Sequence, residues 1–427
     1  MISIFRIKNF RSILDMTVDL RFAEGKAPNG YKTWDTLPFL EAPKDERLVS
    51  CLALFGANAS GKTNVIRALA MFQRAAILGK AVDCYEPNKL HDDKGTTVFA
   101  LTLFIGVDEF VYSLDYNGTE IRHEKLLKNG KALYAVTHLK GDFSKQVRTE
   151  NYTDDRLQSI LDVECSDGNG RQIFTLLTRV GQNYKGLNTD LLNVFLYMSQ
   201  KLLVLEDNDI PLPSSVENLK SYFGGDRDKA LAAIVDLIRK LDVDIKNIEI
   251  KREEVDKSKG RPVNVLYREL PDNNHYEVVD IKSHHANIHG KIVPFDFIND
   301  ESQGTHRLTG LIGVMLFALK GGHVLFVDEL DCSLHSLLLR ELLRLFKDKR
   351  YNTEGAQLVF STHNTDILDD DILRVSEVAI IRKSLHTGSL IKRIVDFKAD
   401  GRDVRNVTNF RKQYLEGFYS GVPHPAI

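Results

Sequence analysis

The chain has 427 residues, enough for more than one domain, and its 43% hydrophobic and 27% charged residues are typical of a water-soluble globular protein. The net charge of −2 excludes a broadly basic surface for nucleic acid and leaves only a local patch for such binding. The four scattered cysteines contain no CxxC pair, which argues against a disulfide framework or a zinc site and favours a reducing compartment.

The N-terminal segment, MISIFRIKNFRS, has charges within its apolar run and lacks a small-residue cleavage site, so it predicts a strand and not a signal peptide. The apolar stretch 311–327 is too short to span a bilayer and is interrupted by Lys320 and Gly321. We therefore expect a cytoplasmic protein without a membrane partner.

The first 80 residues predict strands over 2–7, 14–20 and 48–55, followed by a helix over 63–77. The polar segment between the second and third strands predicts a loop that contains the single tryptophan, Trp34. An alternating pattern over 97–127 then predicts an antiparallel meander. Helical periodicity then predicts helices over 155–163, 170–180, 190–205 and 228–240. Strand patterns follow at 244–251, 263–270 and 277–282.

Strands and helices alternate in the last third of the chain, which indicates a parallel sheet covered on both faces. The predicted helices are 305–320, 333–347 and 365–369, and the predicted strands are 323–328, 357–361 and 377–382. The fold class is therefore α/β, with a mixed sheet that carries an antiparallel arm and with an inserted, mainly helical domain. The expected domains are an N-terminal lobe (1–144), an inserted helical/β domain (145–285), a C-terminal lobe (286–400) and a tail (401–427).

The segment between the third strand and the following helix matches the phosphate-loop pattern GxxxxGK[ST]. Its glycines let the backbone wrap phosphates, and the amides at the helix N-terminus supply partial positive charge. The pattern predicts that Lys62 contacts the β- and γ-phosphates of ATP and that the Thr63 hydroxyl binds Mg²⁺. The predicted nucleotide-binding residues of this loop are Gly56, Ala57, Asn58, Ala59, Ser60, Gly61, Lys62, Thr63 and Asn64.

Two carboxylates, Asp328 and Glu329, follow the buried strand Val324-Leu-Phe-Val. The carboxyl ends of such strands form the ligand-binding edge of an α/β sheet. An acidic pair there is also common as a plain helix cap, but together with the phosphate loop it predicts a Mg²⁺ ligand in Asp328 and a catalytic carboxylate in Glu329 that orients the attacking water.

Two further segments, together with the phosphate loop and the acidic pair, make up a set of motifs in a fixed order along the chain. Ser302, Gln303 and Gly304 precede an apolar helix and suit either a second anion-binding nest or a plain N-cap by Ser302. His363 ends the strand after the carboxylates, where it can polarise a γ-phosphate, although a lone histidine at a strand end is often structural. Their order along the chain favours the nest and a catalytic histidine.

The motifs NFRS, GANASGKTN, ESQGT, VDELDCSLH and STHNTDIL resemble the SMC/RecF-type branch of ABC ATPases, and more narrowly the stand-alone ATPases of prokaryotic abortive-infection and anti-phage systems. The tail at 410–423 resembles that narrower group. The resemblance implies an ABC-type ATPase head, a homodimer or higher oligomer with ATP at the interface, and contact of Arg11 with the nucleotide. The glutamine-bearing loop of the family stays unassigned, because Gln73 follows the phosphate loop too closely.

Two other clusters of polar residues stand out in the sequence. His284, His285 and His289 have no carboxylate or cysteine close in sequence, so a strand followed by a turn is a better interpretation than a metal site. The basic stretch 251–261 is interleaved with acidic residues and predicts a solvated hairpin more than a nucleic-acid contact.

The resulting hypothesis is an ATP-binding and ATP-hydrolysing switch that controls a separately encoded effector, such as a nuclease, in anti-phage defence. The alternative is a RecF-like DNA-maintenance ATPase that acts directly on nucleic acid. A self-contained nuclease of the overcoming-lysogeny-defect type is disfavoured, because only a short segment without a cluster of acidic motifs follows His363.

Overall fold

The structure is a computed structural model. It describes residues 1–22, 40–43, 46–89, 95–138, 145–148, 154–206, 210–241, 244–259, 266–269, 271–272, 274–332, 334–369, 371–384, 387–399, 402–403, 409–419 and 421. Trp34 and Arg261, both considered above, lie outside the described residues.

By packing, the chain divides into two compact units. The first comprises Met1–Glu206, Gly322–Leu330 and Leu342–Ile427, and the second comprises Asp207–Gly321 and Asp331–Glu341. Packing therefore groups residues 154–206 with the first unit, whereas the sequence-based boundaries at 144 and 285 followed changes of pattern along the chain.

A 13-stranded mixed sheet forms the first unit. Its strands in chain order are β1 (Ile2–Phe10), β2 (Ile13–Asp19), β5 (Cys51–Phe55), β6 (Thr97–Ile105), β7 (Asp108–Tyr116), β8 (Ile121–Lys128), β9 (Lys131–His138), β10 (Lys145–Arg148), β11 (Leu202–Leu205), β16 (Val324–Val327), β17 (Gln357–Ser361), β18 (Val378–Ser384) and β19 (Gly388–Arg393). Two short pairs, β3 (Leu40–Glu41) with β4 (Arg47–Leu48) and β20 (Lys398–Ala399) with β21 (Arg402–Asp403), lie apart from it.

The sheet has an antiparallel arm and a parallel part. The spatial order is β10-β9-β8-β7-β6-β1-β2-β19-β18-β5-β17-β16-β11. Pairing is antiparallel from β10 through to the β19–β18 pair, and parallel from β18 through β5, β17 and β16 to β11. The predicted mixed sheet with its antiparallel arm is therefore confirmed.

The second unit contains a four-stranded antiparallel sheet. Its strands are β12 (Asn247–Asp256), β13 (Leu266–Glu269), β14 (His275–Ala286) and β15 (Ile292–Asp296), and β14 pairs with the other three.

Ten α-helices fall within the described residues: α1 (Lys62–Ile77), α2 (Asp154–Ile160), α3 (Leu176–Asn183), α4 (Thr189–Leu196), α5 (Leu212–Leu219), α6 (Arg227–Lys240), α7 (Phe297–Asp300), α8 (Gln303–Gly321), α9 (Ser336–Lys347) and α10 (Phe410–Leu415). Short 3₁₀ turns lie at Ala81–Cys84, Lys220–Phe223, Lys257–Lys259, Thr365–Ile367, Val375–Glu377 and Ile394–Asp396, and π turns at Leu161–Cys165 and Tyr197–Lys201. In this part of the chain, no helix is both long and apolar enough to cross a membrane.

The helix that follows the phosphate loop is anchored on the antiparallel arm by aromatic side chains. The Phe72 ring of α1 lies 5.8 Å from that of Phe5, 5.5 Å from that of Phe99 and 5.6 Å from that of Tyr112, measured between ring centroids. All four side chains are buried. Burying one such aromatic side chain contributes roughly 2–3 kcal/mol, so this cluster fixes α1 against the sheet.

A buried carboxylate joins the arm to α3. Glu124 of β8 accepts hydrogen bonds from the hydroxyls of Tyr112 and Tyr134 and from the backbone N–H groups of Leu176 and Leu177. Its other partner is the side-chain amide of Gln172. Burial raises the pKa of Glu124, while these donors oppose the shift.

One predicted element is wrong. Residues 190–205 were expected to form a single helix, but α4 ends at Leu196, a π turn follows, and Leu202–Leu205 form β11. The side-chain amide of Gln73 donates to the carbonyls of Met198, at 2.7 Å, and of Leu202, at 2.9 Å. These bonds, together with parallel pairing to β16, stabilise the strand where periodicity alone favoured a helix.

Candidate functional site

Four parallel strands end at one edge of the large sheet. β5 leads to Gly56, β16 leads to Asp328, β17 leads to Thr362 and His363, and β11 leads to Glu206. Val327 is in register with Leu205 on one side and with Phe360 on the other, and Ser361 is in register with Leu54. β5, β16 and β17 are buried along their whole length, as expected for parallel strands covered on both faces.

The phosphate loop has the backbone conformation that its glycines permit. Gly61 and Ala59 have φ values of 109° and 61°, in the left-handed region. A Cβ atom at Gly56 would lie 2.1 Å from the Ile381 carbonyl oxygen, so only glycine fits there. No acidic residue occupies the first turn of α1, and its backbone amides are therefore suited to an anion.

Lys62 lies across the loop. Its Nζ atom donates to the carbonyl oxygen of Gly56 at 2.9 Å and to that of Ala57 at 3.2 Å, and its side chain is buried. Thr63 is exposed at the start of α1, and the side-chain amide of Asn64 donates to the Ser12 hydroxyl at 2.7 Å. The ammonium group is thus held among the loop carbonyls that surround the predicted phosphate position.

Ser361 links the two acidic residues. Its hydroxyl donates to Oδ1 of Asp328 and accepts the backbone N–H of Glu329 at 2.7 Å. Asp328 is buried, whereas Glu329 is exposed and has a φ of 48°, which is uncommon for a residue other than glycine. The turn therefore separates a buried carboxylate from one that faces solvent.

Ser361 was not singled out from the sequence. The only signal for Ser361 in the sequence was its position immediately before Thr362-His363. Parallel pairing of β17 with β16 places Ser361 beside the acidic pair.

His363 lies in an ordered turn after β17. The backbone N–H of Thr362 donates to the Leu54 carbonyl at 3.2 Å, and the Asn364 side chain accepts the N–H of Asp366. The His363 side chain is exposed. The turn thus fixes the backbone on both sides of an accessible imidazole.

The strand β11 supplies a residue that the sequence analysis missed. Glu206 follows Leu205 as Asp328 follows Val327, so both carboxylates come at the carboxyl ends of paired strands. Arg67 of α1 forms ion pairs with Glu206, at 3.1 Å, and with Glu86, at 2.8 Å. Glu206 thus lies at the same sheet edge as Asp328.

Arg11 is directed towards Glu86 in this structure. Its Nε atom lies 3.3 Å from Oε2 of Glu86, and its backbone N–H donates to the Glu86 carbonyl at 2.9 Å. Its predicted contact with nucleotide stays a prediction.

The residues of the predicted nest lie in the second unit. Ser302 caps α8, because its hydroxyl accepts the Thr305 N–H at 3.1 Å, and Ser302 and Gln303 are exposed. The preceding residue, Glu301, accepts hydrogen bonds at one oxygen from the Ser283 hydroxyl and from Nε2 of His285, both at 2.6 Å. The start of α8 is thereby tied to β14.

The histidine cluster and the basic stretch 251–261 both contain residues that pair with nearby carboxylates. His285 bonds Glu301, and the described residues contain no group of three or more His, Cys, Asp or Glu side chains that could hold a metal ion. In the basic stretch, Lys251 pairs with Glu249, and Arg252 pairs with Glu217 and Glu277. These pairs favour the solvated hairpin.

The fold, and the meeting of the phosphate loop with Asp328, Glu329 and His363 at one edge of the large sheet, define an ABC-type phosphate-loop ATPase head with an inserted unit. A family model described as "AAA domain, putative AbiEii toxin, Type IV TA system" matches residues 51–369. The match spans well over half of the chain, and the chain belongs to this family. The resemblance to the abortive-infection group of SMC/RecF-type ATPases is thus confirmed.

Solved structures of SMC heads are similar at low identity. The SMC head bound to the C-winged helix domain of ScpA has 13% identity and a TM-score of 0.44, and the alignment covers 92% of this chain and 97% of that one. The SMC head domain from Thermotoga maritima has 11% identity and a TM-score of 0.40, covering 92% and 98%. The head domain with an extended coiled coil, bound to the C-terminal domain of ScpA from Pyrococcus furiosus, has 14% identity and a TM-score of 0.39, covering 92% and 95%. A search of curated proteins gave no significant match.

Proposed function

We propose that the protein is an ATP-binding and ATP-hydrolysing conformational switch in which ATP is held between the phosphate loop of one chain and the Ser302 nest of a second copy. The observation that carries the proposal is the arrangement at the sheet edge. Ser361 lies at the end of β17, the strand next to the phosphate-loop strand β5, and it orders Asp328 and Glu329 at the end of the following strand, β16. A buried and an exposed carboxylate beside a phosphate loop suit triphosphate hydrolysis.

Each residue then has a distinct role. Lys62 and the loop amides bind the β- and γ-phosphates, and the exposed Glu329 orients the attacking water. The imidazole of His363 polarises the γ-phosphate. The Thr63 hydroxyl and the Asp328 carboxylate are the hard oxygen donors that Mg²⁺ prefers, and a bound Mg²⁺ would neutralise phosphate charge.

The nest explains why a second copy is needed. Ser302 caps a 19-residue helix that begins with Gln303 and Gly304, and the first turn of this helix holds no acidic residue, so an anion is favoured there. When one ATP contacts two chains, it binds the closed dimer more tightly than the open chain and shifts the population towards closure. Hydrolysis removes those contacts and resets the switch.

The setting we propose is bacterial anti-phage defence, with the switch controlling a separately encoded effector, such as a nuclease. The abortive-infection description of the family supports this proposal. The second unit is the part available for specificity, and its mixed surface charges, paired as Lys251 with Glu249 and Lys282 with Asp280, favour a protein partner over nucleic acid.

Two substitutions test the catalytic assignment. Lys62→Ala removes the only ammonium group of the loop, and we expect ATP affinity to fall at least about tenfold, as for loss of a charge-assisted hydrogen bond. Glu329→Gln keeps the binding groups but removes the base, and we expect kcat to fall by about 10²–10⁴-fold while an ATP-bound dimer accumulates. Nucleotide titration, phosphate release and gel filtration with ATP measure these effects.

The outcomes separate the two candidate functions. Hydrolysis at the parental rate by Glu329→Gln would reject the catalytic assignment. If the switch controls an effector, cells that carry either variant should no longer be protected against phage. Hydrolysis stimulated by added DNA, without any effect of the variants on protection, would instead select the RecF-like alternative.

A further inference from the structure

A line of three polar side chains runs along the outside of the phosphate loop. The Ser389 hydroxyl of β19 donates to the Ser60 carbonyl oxygen at 2.6 Å, and its Oγ lies 2.7 Å from Oγ of Ser12. The side-chain amide of Asn64 donates to Oγ of Ser12 at 2.7 Å. Ser389 is fully buried. The line therefore begins and ends on the two residues that flank Gly61, Lys62 and Thr63.

The chemistry of the end groups sets the direction of every hydrogen bond. An amide N–H can only donate and a carbonyl oxygen can only accept. Because the single hydroxyl proton of Ser389 is donated to the Ser60 carbonyl, Ser12 is the donor in its bond to Ser389, and Ser12 in turn accepts from Asn64. Hydrogen bonds arranged head to tail strengthen one another, and breaking one weakens the whole series.

Close approach of the backbone makes this arrangement possible. β19 meets β2 at Gly388, opposite Ile13, and the Ser389 N–H donates to the Ser12 carbonyl at 2.7 Å. A Cβ atom at Gly388 would lie 2.4 Å from the Ser12 carbonyl oxygen, and one at Gly61 would lie 2.3 Å from Oγ of Ser389. Two glycines are thus required for the serines to reach the loop.

We propose that Ser389 and Ser12 are positioning residues that hold the phosphate loop in the conformation that receives the triphosphate. The proposal rests on the ATP-binding function given above. A loop already ordered in its binding conformation loses little entropy when ATP binds, whereas a loop released from Ser389 must be ordered at that moment. Neither serine is assigned contact with the nucleotide.

The test is a double-mutant cycle with Ser389→Ala and Ser12→Ala, measured as the Kd for a non-hydrolysable ATP analogue with Mg²⁺. Each single variant should bind about three- to tenfold more weakly, as for loss of one hydrogen bond. The double variant should bind no more weakly than the worse single, because one break already disconnects the series. A role in stability alone would leave Kd unchanged while lowering Tm.

Ser215→Ala is the matched control. Its buried hydroxyl donates to the Gly310 carbonyl at 2.8 Å, the same type of bond in the second unit, so Tm should fall without a change in Kd. Parental Kd values for Ser389→Ala and Ser12→Ala, or additive effects in the double variant, would overturn the inference. If Lys62→Ala loses ATP binding while the serine variants do not, only this inference fails. If Lys62→Ala also binds normally, the proposed function fails.

Discussion

At the scale of single residues, His323 shows how burial governs protonation at the end of β16 that lies away from the site. It precedes β16, its side chain is only 3% exposed, and its backbone carbonyl accepts the Gln357 N–H. Burial, assisted by the nearby charge of Lys201, lowers the pKa of His323 from 6.5 to about 4. The neutral imidazole is therefore the form that fits the fold.

The sign of the resulting pH dependence follows from the lowered pKa. As the pH falls from about 6.5 to about 4, the unfolded chain takes up a proton at His323 that the folded chain resists, so the contribution of His323 to stability is lost in that window and does not change outside it. Allowing for solvent screening, we expect a loss of roughly 1–2 kcal/mol. The measurement is the free energy of unfolding of the parent and of His323→Gln, each at pH 7.5 and at pH 4.5. The difference in stability between the two proteins should change between the two pH values. If it does not change, the pKa of His323 is not lowered by the fold.

The residue scale also shows where sequence-based prediction stops. The spacing of Gly56, Gly61 and Lys62 was enough to predict a loop between a strand and a helix, because the pattern itself requires that backbone. The left-handed conformation of Glu329 and the bonds of Ser361 could not be predicted, because they depend on which strand lies beside β16. Which distant strand pairs with β16 cannot be read from the sequence of either strand alone.

At the scale of elements, burial on both faces explains which strands were predictable. β5, β16 and β17 are short, continuous apolar runs bounded by turn residues, and all three were predicted. β11 lies in an equally apolar run that continues from α4, so periodicity assigned it to the helix. Its edge position beside β16 and the two bonds from Gln73 are tertiary effects. Glu206 was missed for the same reason.

The attachment of α8 to β14 leads to a prediction about the nest. Glu301→Ala removes the acceptor that Ser283 and His285 share, so Ser302 and Gly304 lose their fixed position. In a Glu329→Gln background we expect ATP-dependent association to weaken about tenfold or more, as for hydrogen bonds to a charged group, with unchanged ATP affinity of the single chain. Sedimentation with ATP and nucleotide titration measure the two quantities separately.

His284→Ala provides the control for that experiment. His284 is the neighbour of His285 on β14, and successive side chains of a strand lie on opposite faces of the sheet. In the Glu329→Gln background, the His284→Ala variant should therefore show the same ATP-dependent association as the parent. Glu301→Gln, which keeps an oxygen acceptor, should restore part of the association. Parental association by Glu301→Ala would show that β14 does not position the nest.

At the scale of the whole molecule, the proposed site needs groups from both compact units but from two different chains. Lys62, Asp328 and Glu329 belong to the first unit, and Ser302 and Gly304 to the second. With a net charge of −2, long-range repulsion between two copies is small. Association should therefore depend on ATP more than on ionic strength.

Complementation between two inactive variants tests whether the site is shared. Lys62→Ala lacks a working phosphate loop, and Ser302→Arg places a bulky side chain on the exposed start of α8. In a mixed dimer, the intact loop of the second variant meets the intact nest of the first, so one site of two is restored. Because half of the dimers in an equimolar mixture are mixed, we expect about a quarter of the parental rate of phosphate release, from two proteins that are each inactive alone. Differently tagged chains recovered together establish that mixed dimers form. If such dimers form and release no phosphate, or if Ser302→Arg alone is fully active, ATP is not hydrolysed between a loop and a nest from different copies.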